Sequence, residues 1–272
     1  MKLSNPTTLN STKNSVKGER RYGPDEILLA AHDDLTQKAD WTEAGFSVAP
    51  FLADEIYQKF MAGVRNLFRG FFLQVGVDLS NKTPLNQYHR LTSLSDATHL
   101  AIVNQAKLLS ALDFPVVLNE VEKRISELCG MPVQAYNPHN YERVFHFRIV
   151  RPQRNDNNPL HRDVWLPEYH DAINIYVPLA GSNELSSLTL VPKSHRWSEA
   201  VIERTVQGAR VNGVQFNVPG VTDSQNPLTI VRPNPAINEV LIFSPYLVHG
   251  GAVNLNEDIT RISLEMRFWR AS

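Results

Sequence analysis

Two histidines and one aspartate have the types and spacing to hold a metal ion. His161 and Asp163 lie two residues apart in HRDVW (161–165). Residues two apart on an extended segment point the same way, so this imidazole and carboxylate can reach one ion. Two ligands leave a site open. His249 follows the apolar run EVLIFSPYLV (239–248) and precedes two glycines, a tight turn with little steric cover, and it is the candidate third ligand. Two neutral imidazoles and one carboxylate on one face of an ion suit Fe(II) and leave three positions open. A second His-x-Asp pair, His32 and Asp34, lies in DEILLAAHDDLTQKAD (25–40). That spacing predicts a helix, on which residues two apart diverge, so this pair is set aside.

Arg261 and Ser263 extend the case. Both fall on one face of the alternating segment TRISLEMRF (260–268). A guanidinium beside a hydroxyl is a good receptor for a carboxylate. A metal triad of the non-haem Fe(II) oxygenase type next to a carboxylate receptor fits a keto-acid that chelates the ion and reaches Arg261 with its far end. Each residue alone has a structural reading: His161 and Asp163 ending a strand, His249 satisfied in a loop, Arg261 in a salt bridge. The argument rests on their combination.

The elements that must position these residues change character along the chain. Residues 1–22 are Ser/Thr/Asn/Lys-rich and read as a flexible tail. Residues 23–272 read as a single domain, helix-rich over 23–133 and strand-rich over 134–272. Apolar positions at helical spacing predict helices in 53–68, 96–112 and 116–130, the last ending on a glycine. The run GFSVAPF (45–51) predicts a strand. After Met131, seven or eight short alternating segments separated by Pro, Asn and Gly predict a sandwich or barrel. Alternation places Phe145, Phe147 and Ile149 opposite His146 and Arg148. It places Ile173, Ile175, Val177 and Leu179 opposite Asn174 and Tyr176, and Ile262, Leu264, Met266 and Phe268 opposite Arg261, Ser263, Glu265 and Arg267. Helices covering the apolar faces would leave the polar faces lining the interior of a curled sheet. The stretch 201–237 is long for a connection and reads as a lid or rim.

The 272 residues are 42% hydrophobic and 20% charged, with formal net charge −1. That is ordinary globular composition, with no like-charge run or Gly-rich phosphate loop to point to nucleic acid. No apolar stretch is long enough for a bilayer, and the polar N-terminus lacks a signal peptide's core. Cys129 is the single cysteine, so no intramolecular disulfide and no second thiolate for zinc exist, and a cytoplasmic location is expected. Oligomeric state is not legible.

The chain resembles the phytanoyl-CoA dioxygenase-like branch of the Fe(II)/2-oxoglutarate oxygenases. AGFSVAPFLADEIYQKFMAGVRNLF (44–68) is similar to that family's entry strand and helix, and HRDVW (161–165) to its metal motif. AINIYVPLAGSNELSSLTLVPKSHRW (172–197) is similar to its middle strands. VLIFSPYLVHGGAVNLNEDITRISLEMRF (240–268) is similar to its distal His, Asn and Arg-x-Ser pattern. Lys193 departs from a usual glycine, and Asn238-Glu239 from a usual Gly-Asp. Both are turn variations. Asp163 is the carboxylate that related halogenases lack, which argues against halogenation.

The resemblance implies a double-stranded β-helix (jelly-roll) with N-terminal helices packed on its major sheet. It implies His161, Asp163 and His249 as iron ligands, and Arg261 with Ser263 as the 2-oxoglutarate anchor. It places Tyr176 against that cosubstrate. The implied cofactors and cosubstrates are Fe(II), 2-oxoglutarate and O2, and the implied reaction is hydroxylation with release of succinate and CO2. Candidate substrate residues are Arg148, Asn174, Trp165 and His146, which favour a polar small molecule. Arg148 pairing with Glu265 is an equally good structural account. Two other classes fit the same residues: a cupin-type enzyme that uses no keto-acid, and a jelly-roll binding protein without catalysis.

Overall fold

Strands with one apolar face need a covering layer, and helices from the first half supply it. The computed structural model describes residues 7–8, 16–30, 32–80, 83–91, 95–141, 145–154, 158–211, 214–250 and 253–271. The long helix Asp54–Gln74 carries Asp54 and Glu55 in its first turn, where the helix dipole favours acids. It buries Tyr57, Phe60, Val64, Phe68, Phe71 and Phe72 along one side. Asp96–Ala106 is capped by the Ser95 side chain, which accepts from Thr98 N. Leu118–Cys129 ends on Gly130 at φ 66, the left-handed stop that glycine adopts without strain.

The apolar sheet faces and these helices form one core, with Phe68 edge-on to Phe147 at 5.4 Å. The major sheet is antiparallel, in the order Phe46–Pro50, Glu239–Phe243, Ala172–Ala180, Arg261–Arg270, with Phe145–Val150 and Val133–Gln134 both pairing the last strand. Its inner face carries two cross-strand rows that matter below. One runs Phe243, Asn174, Arg267; the other runs Leu241, Tyr176, Glu265, His146.

An opposing layer closes the β-helix. His161 pairs with His249 and Leu190 pairs with both His249 and Val231 as antiparallel bridges. Ile202–Thr205 pairs with Val221–Ser224 and with Arg20–Tyr22. The fold is therefore mainly β, a double-stranded β-helix with helices on its major sheet. No helix among the described residues is long and apolar enough to cross a membrane.

Three expectations change. Residues 25–30 and 32–40 form turns and irregular chain, not a helix. Asp34 accepts hydrogen bonds from the Thr36 amide at 2.8 Å and hydroxyl at 2.6 Å, a local turn that competes with helix. Within the segment read as tail, Val16–Lys17 pairs with Ala209–Val211, and Val16 is buried. Residues 1–6 and 9–15 of that tail lie outside the described residues. The stretch 201–237, expected as a lid or rim, carries the strands Ile202–Thr205, Ala209–Val211, Val214–Phe216, Val221–Ser224 and Thr229–Ile230. Its strands extend the opposing layer, and none of its described residues is on the wall of the cavity described below.

Candidate metal centre and anion pocket

The two histidines converge because their backbones exchange hydrogen bonds. His161 N donates to His249 O and His249 N donates to His161 O, both at 2.9 Å. Residues paired this way sit directly opposite with side chains on one side, and the ring centroids are 4.4 Å apart. Arg162 is extended (φ −110, ψ 135), so Asp163 follows on the same side and opens the 3-10 turn Asp163–Trp165. His161 Nε2 lies 3.2 Å from Asp163 Oδ1, and His249 Nε2 lies 3.8 Å from Asp163 Oδ2. One donor atom from each of the three residues lies within 4.8 Å of the others, and all three are buried. Among the described residues this is the one such group.

Backbone carbonyls set the tautomers. His161 Nδ1 is 2.7 Å from Pro159 O, and His249 Nδ1 is 2.9 Å from Leu247 O. An Nδ1–H donated to each carbonyl leaves Nε2 bare toward the centre, the arrangement that metal-ligating histidines need. Gly250 follows at φ 102. A Cβ there would stand 2.6 Å from Pro159 O and 3.0 Å from His161 Nδ1, so the close approach of this turn to the His161 ring requires glycine.

Asp163 stays ionised. Burial pushes its carboxyl up, but Arg267, His249 and His161 outweigh that and hold it well below the usual range. Arg267 Nε and Nη2 donate to Oδ2 at 3.1 and 3.0 Å, and Asn174 Nδ2 donates to the same oxygen at 2.9 Å. Sequence alone assigns no role to Arg267. Its signal was present, because it lies six residues beyond Arg261 on the same face of the same strand. Beneath the turn, Arg162 is fully buried and donates to Glu199 and to Ser194 O. Glu199, in a connecting segment with no periodic pattern, gave no sequence signal at all.

Arg261 and Ser263 form the second half of the site. Arg261 is 0% exposed, yet its Nε, Nη1 and Nη2 all lack a hydrogen-bond partner. Ser263 Oγ is also buried and unpartnered. The Arg261 guanidinium carbon stands 5.7 Å from the Tyr176 ring centre, and the Tyr176 hydroxyl is 2.9 Å from Ser182 Oγ. A second cation, Arg232, donates to Ser187 O and Val253 O at 3.0 and 3.1 Å. Burial, then the Arg261 charge, bring its pKa down to about 10. Buried polar groups are nearly always satisfied, so a buried guanidinium with three orphan nitrogens could receive an anion.

The substrate candidates separate. The cavity over the trio is walled in part by Arg148, Asn158, Asn174, Glu265 and Arg267. Arg148 Nε donates to Glu265 Oε2 at 2.9 Å, so the pairing account holds. Asn174 is on the wall but commits its amide to Asp163. Trp165 is not on the wall: its indole N–H donates to Glu199 Oε2 at 2.9 Å, and Arg204 stacks on its ring at 4.6 Å. His146 is not on the wall either. It sits opposite Glu265 in the sheet, half-buried.

Three histidines, His146, His195 and His249, are brought down to about 4, in each case chiefly by burial. A histidine in the unfolded chain takes its proton near 6.5. Between those limits the unfolded state binds more protons. Stability is then complete above about pH 6.5 and falls as pH drops toward 4. The melting temperature of the metal-free protein is expected to fall steadily from about pH 7 to about pH 5. His195→Gln, outside the metal trio, should flatten part of that slope. A flat profile in the parent contradicts the assignment.

No protein-family model matches the chain, and no curated protein matches its sequence. Solved structures do resemble it. AviO1 from Streptomyces viridochromogenes Tue57 aligns over 92% of this chain and 97% of its own, at 15% identity and a TM-score of 0.50. EctD from S. alaskensis, crystallised with 2-oxoglutarate and 5-hydroxyectoine, aligns over 98% and 86% at 12% identity and 0.46. SnoK, a non-heme alpha ketoglutarate dependent carbocyclase from nogalamycin biosynthesis, aligns over 92% and 88% at 14% identity and 0.46. At 15% identity the likeness to AviO1 speaks to the fold alone.

Proposed function

We propose that this chain is an Fe(II)- and 2-oxoglutarate-dependent oxygenase of the phytanoyl-CoA dioxygenase-like kind, hydroxylating a polar small molecule. The observation that carries the reading is the fully buried Arg261 guanidinium, orphaned on all three nitrogens beside Ser263, in the same β-helix as a buried His-Asp-His trio. A cupin-type enzyme with no keto-acid would leave those three nitrogens without a hydrogen-bond partner.

The donor set fits Fe(II): two imidazoles with bare Nε2 atoms and one ionised carboxylate. His161, Asp163 and His249 would hold the ion. Arg261 and Ser263 would receive the far carboxylate of 2-oxoglutarate, and the Tyr176 ring lies beside that guanidinium. When bound, iron and 2-oxoglutarate supply the oxidising chemistry, which consumes O2, releases succinate and CO2 and leaves one oxygen atom in the substrate. The apolar residues Leu188 and Phe243 on the cavity wall help exclude water, and Arg148, Glu265 and Asn158 give it polar contacts for substrate.

The test is to add Fe(II) and 2-oxoglutarate without oxygen and record the weak visible charge-transfer band of the chelate. The parent should show it, His161→Ala should abolish it and Arg261→Ala should weaken it. Iron binding without a band rejects 2-oxoglutarate; no iron binding rejects the metal centre. Gly250→Ala should push on the His161 ring and lower metal affinity by about tenfold or more, read by Mn(II) calorimetry. An unchanged affinity would mean that the turn gives way without moving His161.

A further inference from the structure

We propose that Arg267, together with Asn174, is a positioning residue that holds Asp163 to the ion through Oδ1 alone; this rests on the metal-centre reading above. Asp163 Oδ2 accepts three hydrogen bonds, from Arg267 Nε, Arg267 Nη2 and Asn174 Nδ2, at 3.1, 3.0 and 2.9 Å. A carboxylate oxygen has about two lone-pair directions, so three donors leave Oδ2 nothing to offer an ion. Oδ1 is the oxygen that faces His161 Nε2, at 3.2 Å.

The clamp is mounted on the rigid part of the fold. Arg267 and Asn174 are direct cross-strand partners on two neighbouring strands of the major sheet. Asp163, by contrast, opens a short 3-10 turn in a connection. The sheet thus sets which carboxylate oxygen is taken, on a ligand whose backbone its own segment already directs, through Asp163 N donating to Pro245 O at 3.0 Å. Arg267 is itself fixed. Its guanidinium carbon stacks 4.5 Å from the Tyr169 ring centre, and Tyr169 lies against Trp269 at 6.4 Å. The Trp269 indole N–H donates to Glu168 O at 3.0 Å.

The chemical consequence is the number of open positions. A carboxylate bound through one oxygen leaves three positions on a six-coordinate ion, enough for a chelating keto-acid and one further molecule. A carboxylate swung to bind through both oxygens removes one of these. Arginine suits the task because its planar fork places two donors at a fixed spacing on the same oxygen, whereas a lysine offers a mobile point charge.

The test uses the metal-free full chain loaded with Mn(II) alone. The readouts are exchangeable waters on the ion, counted by line broadening in ¹⁷O-labelled water, and the separation of the carboxylate stretches in the infrared. The parent should show the wide separation of single-oxygen binding. Arg267→Met should lose one water as Oδ2 swings onto the ion. Arg267→Lys, with the charge but not the fork, should recover the parent signature in part. Asn174→Ala should move both readouts the same way by less. If Arg267→Met does not fold, Asn174→Ala decides by the same readouts. Unchanged readouts in the variants that fold, or a parent already bound through both oxygens, overturn the proposal and leave the metal centre standing. A parent that takes up no Mn(II) overturns both.

Discussion

Arg261→Met is expected to be more stable than the parent without ligand and unable to bind 2-oxoglutarate. The side chain is 0% exposed, and none of its three nitrogens has a partner. Burying an unsatisfied charged group costs free energy that an apolar side chain of similar length does not. Against that gain, substitution loses a buried guanidinium–ring contact at 5.7 Å to Tyr176, worth about 2 kcal/mol, and the attraction of the Arg261 charge for Glu265. The change also relieves Arg232, whose pKa is brought to about 10 first by burial and then by the Arg261 charge. The net gain is about 1 kcal/mol, read as a higher urea midpoint with unchanged slope. In the parent, 2-oxoglutarate with metal should raise the melting temperature by mass action, and in Arg261→Met it should not. A variant less stable than the parent would show that Arg261 serves the fold, and the anion pocket would lose its main support.

Strand alternation explains which parts of the site were legible in sequence. The inward faces follow from alternation, because the strand period is two and one face must be apolar where helices cover it. Tyr176, Arg261, Ser263 and Asn174 are therefore placed by pattern alone, and so is Arg267. Its task was not legible, because nothing in TRISLEMRF says that Asp163 will arrive above it. The His161–His249 approach was legible only as a wish for a third ligand. The reciprocal backbone hydrogen bonds that create it join residues 88 positions apart. The helix expected over 25–40 failed because Asp34 and Thr36 offered the backbone a local alternative. Closeness in sequence to the metal motif makes Trp165 a substrate candidate. The turn at Asp163–Trp165 instead sends its indole to Glu199, away from the cavity.

Glu199→Ala is expected to be the most damaging change outside the trio. Glu199 is 1% exposed and is the common partner of the Arg162 guanidinium, the Trp165 indole N–H at 2.9 Å and, at 3.3 Å, the Arg204 guanidinium. Burial already brings the Arg162 pKa down to about 10 against the opposing pull of Glu199. Removing the carboxylate leaves Arg162 charged, fully buried and without its counter-ion, beside a second cation. Breaking a buried pair from one side costs about 3–5 kcal/mol, far more than the pair's net worth against an apolar replacement. The denaturation midpoint should fall accordingly. Lys193→Ala, which breaks the exposed Lys193–Glu43 contact at 2.6 Å, should leave the midpoint in place. The damage should also reach the metal centre, because Arg162 sits between His161 and Asp163 and its anchor fixes the direction of both. Glu199→Ala should weaken Mn(II) binding by about 10–100-fold, as loss of an outer support does elsewhere. The double change Arg162→Met with Glu199→Leu should recover most of the stability but not the metal affinity. Recovery of both would mean that packing alone aims the ligands. Recovery of neither would mean that the ion pair supports the fold beyond this turn.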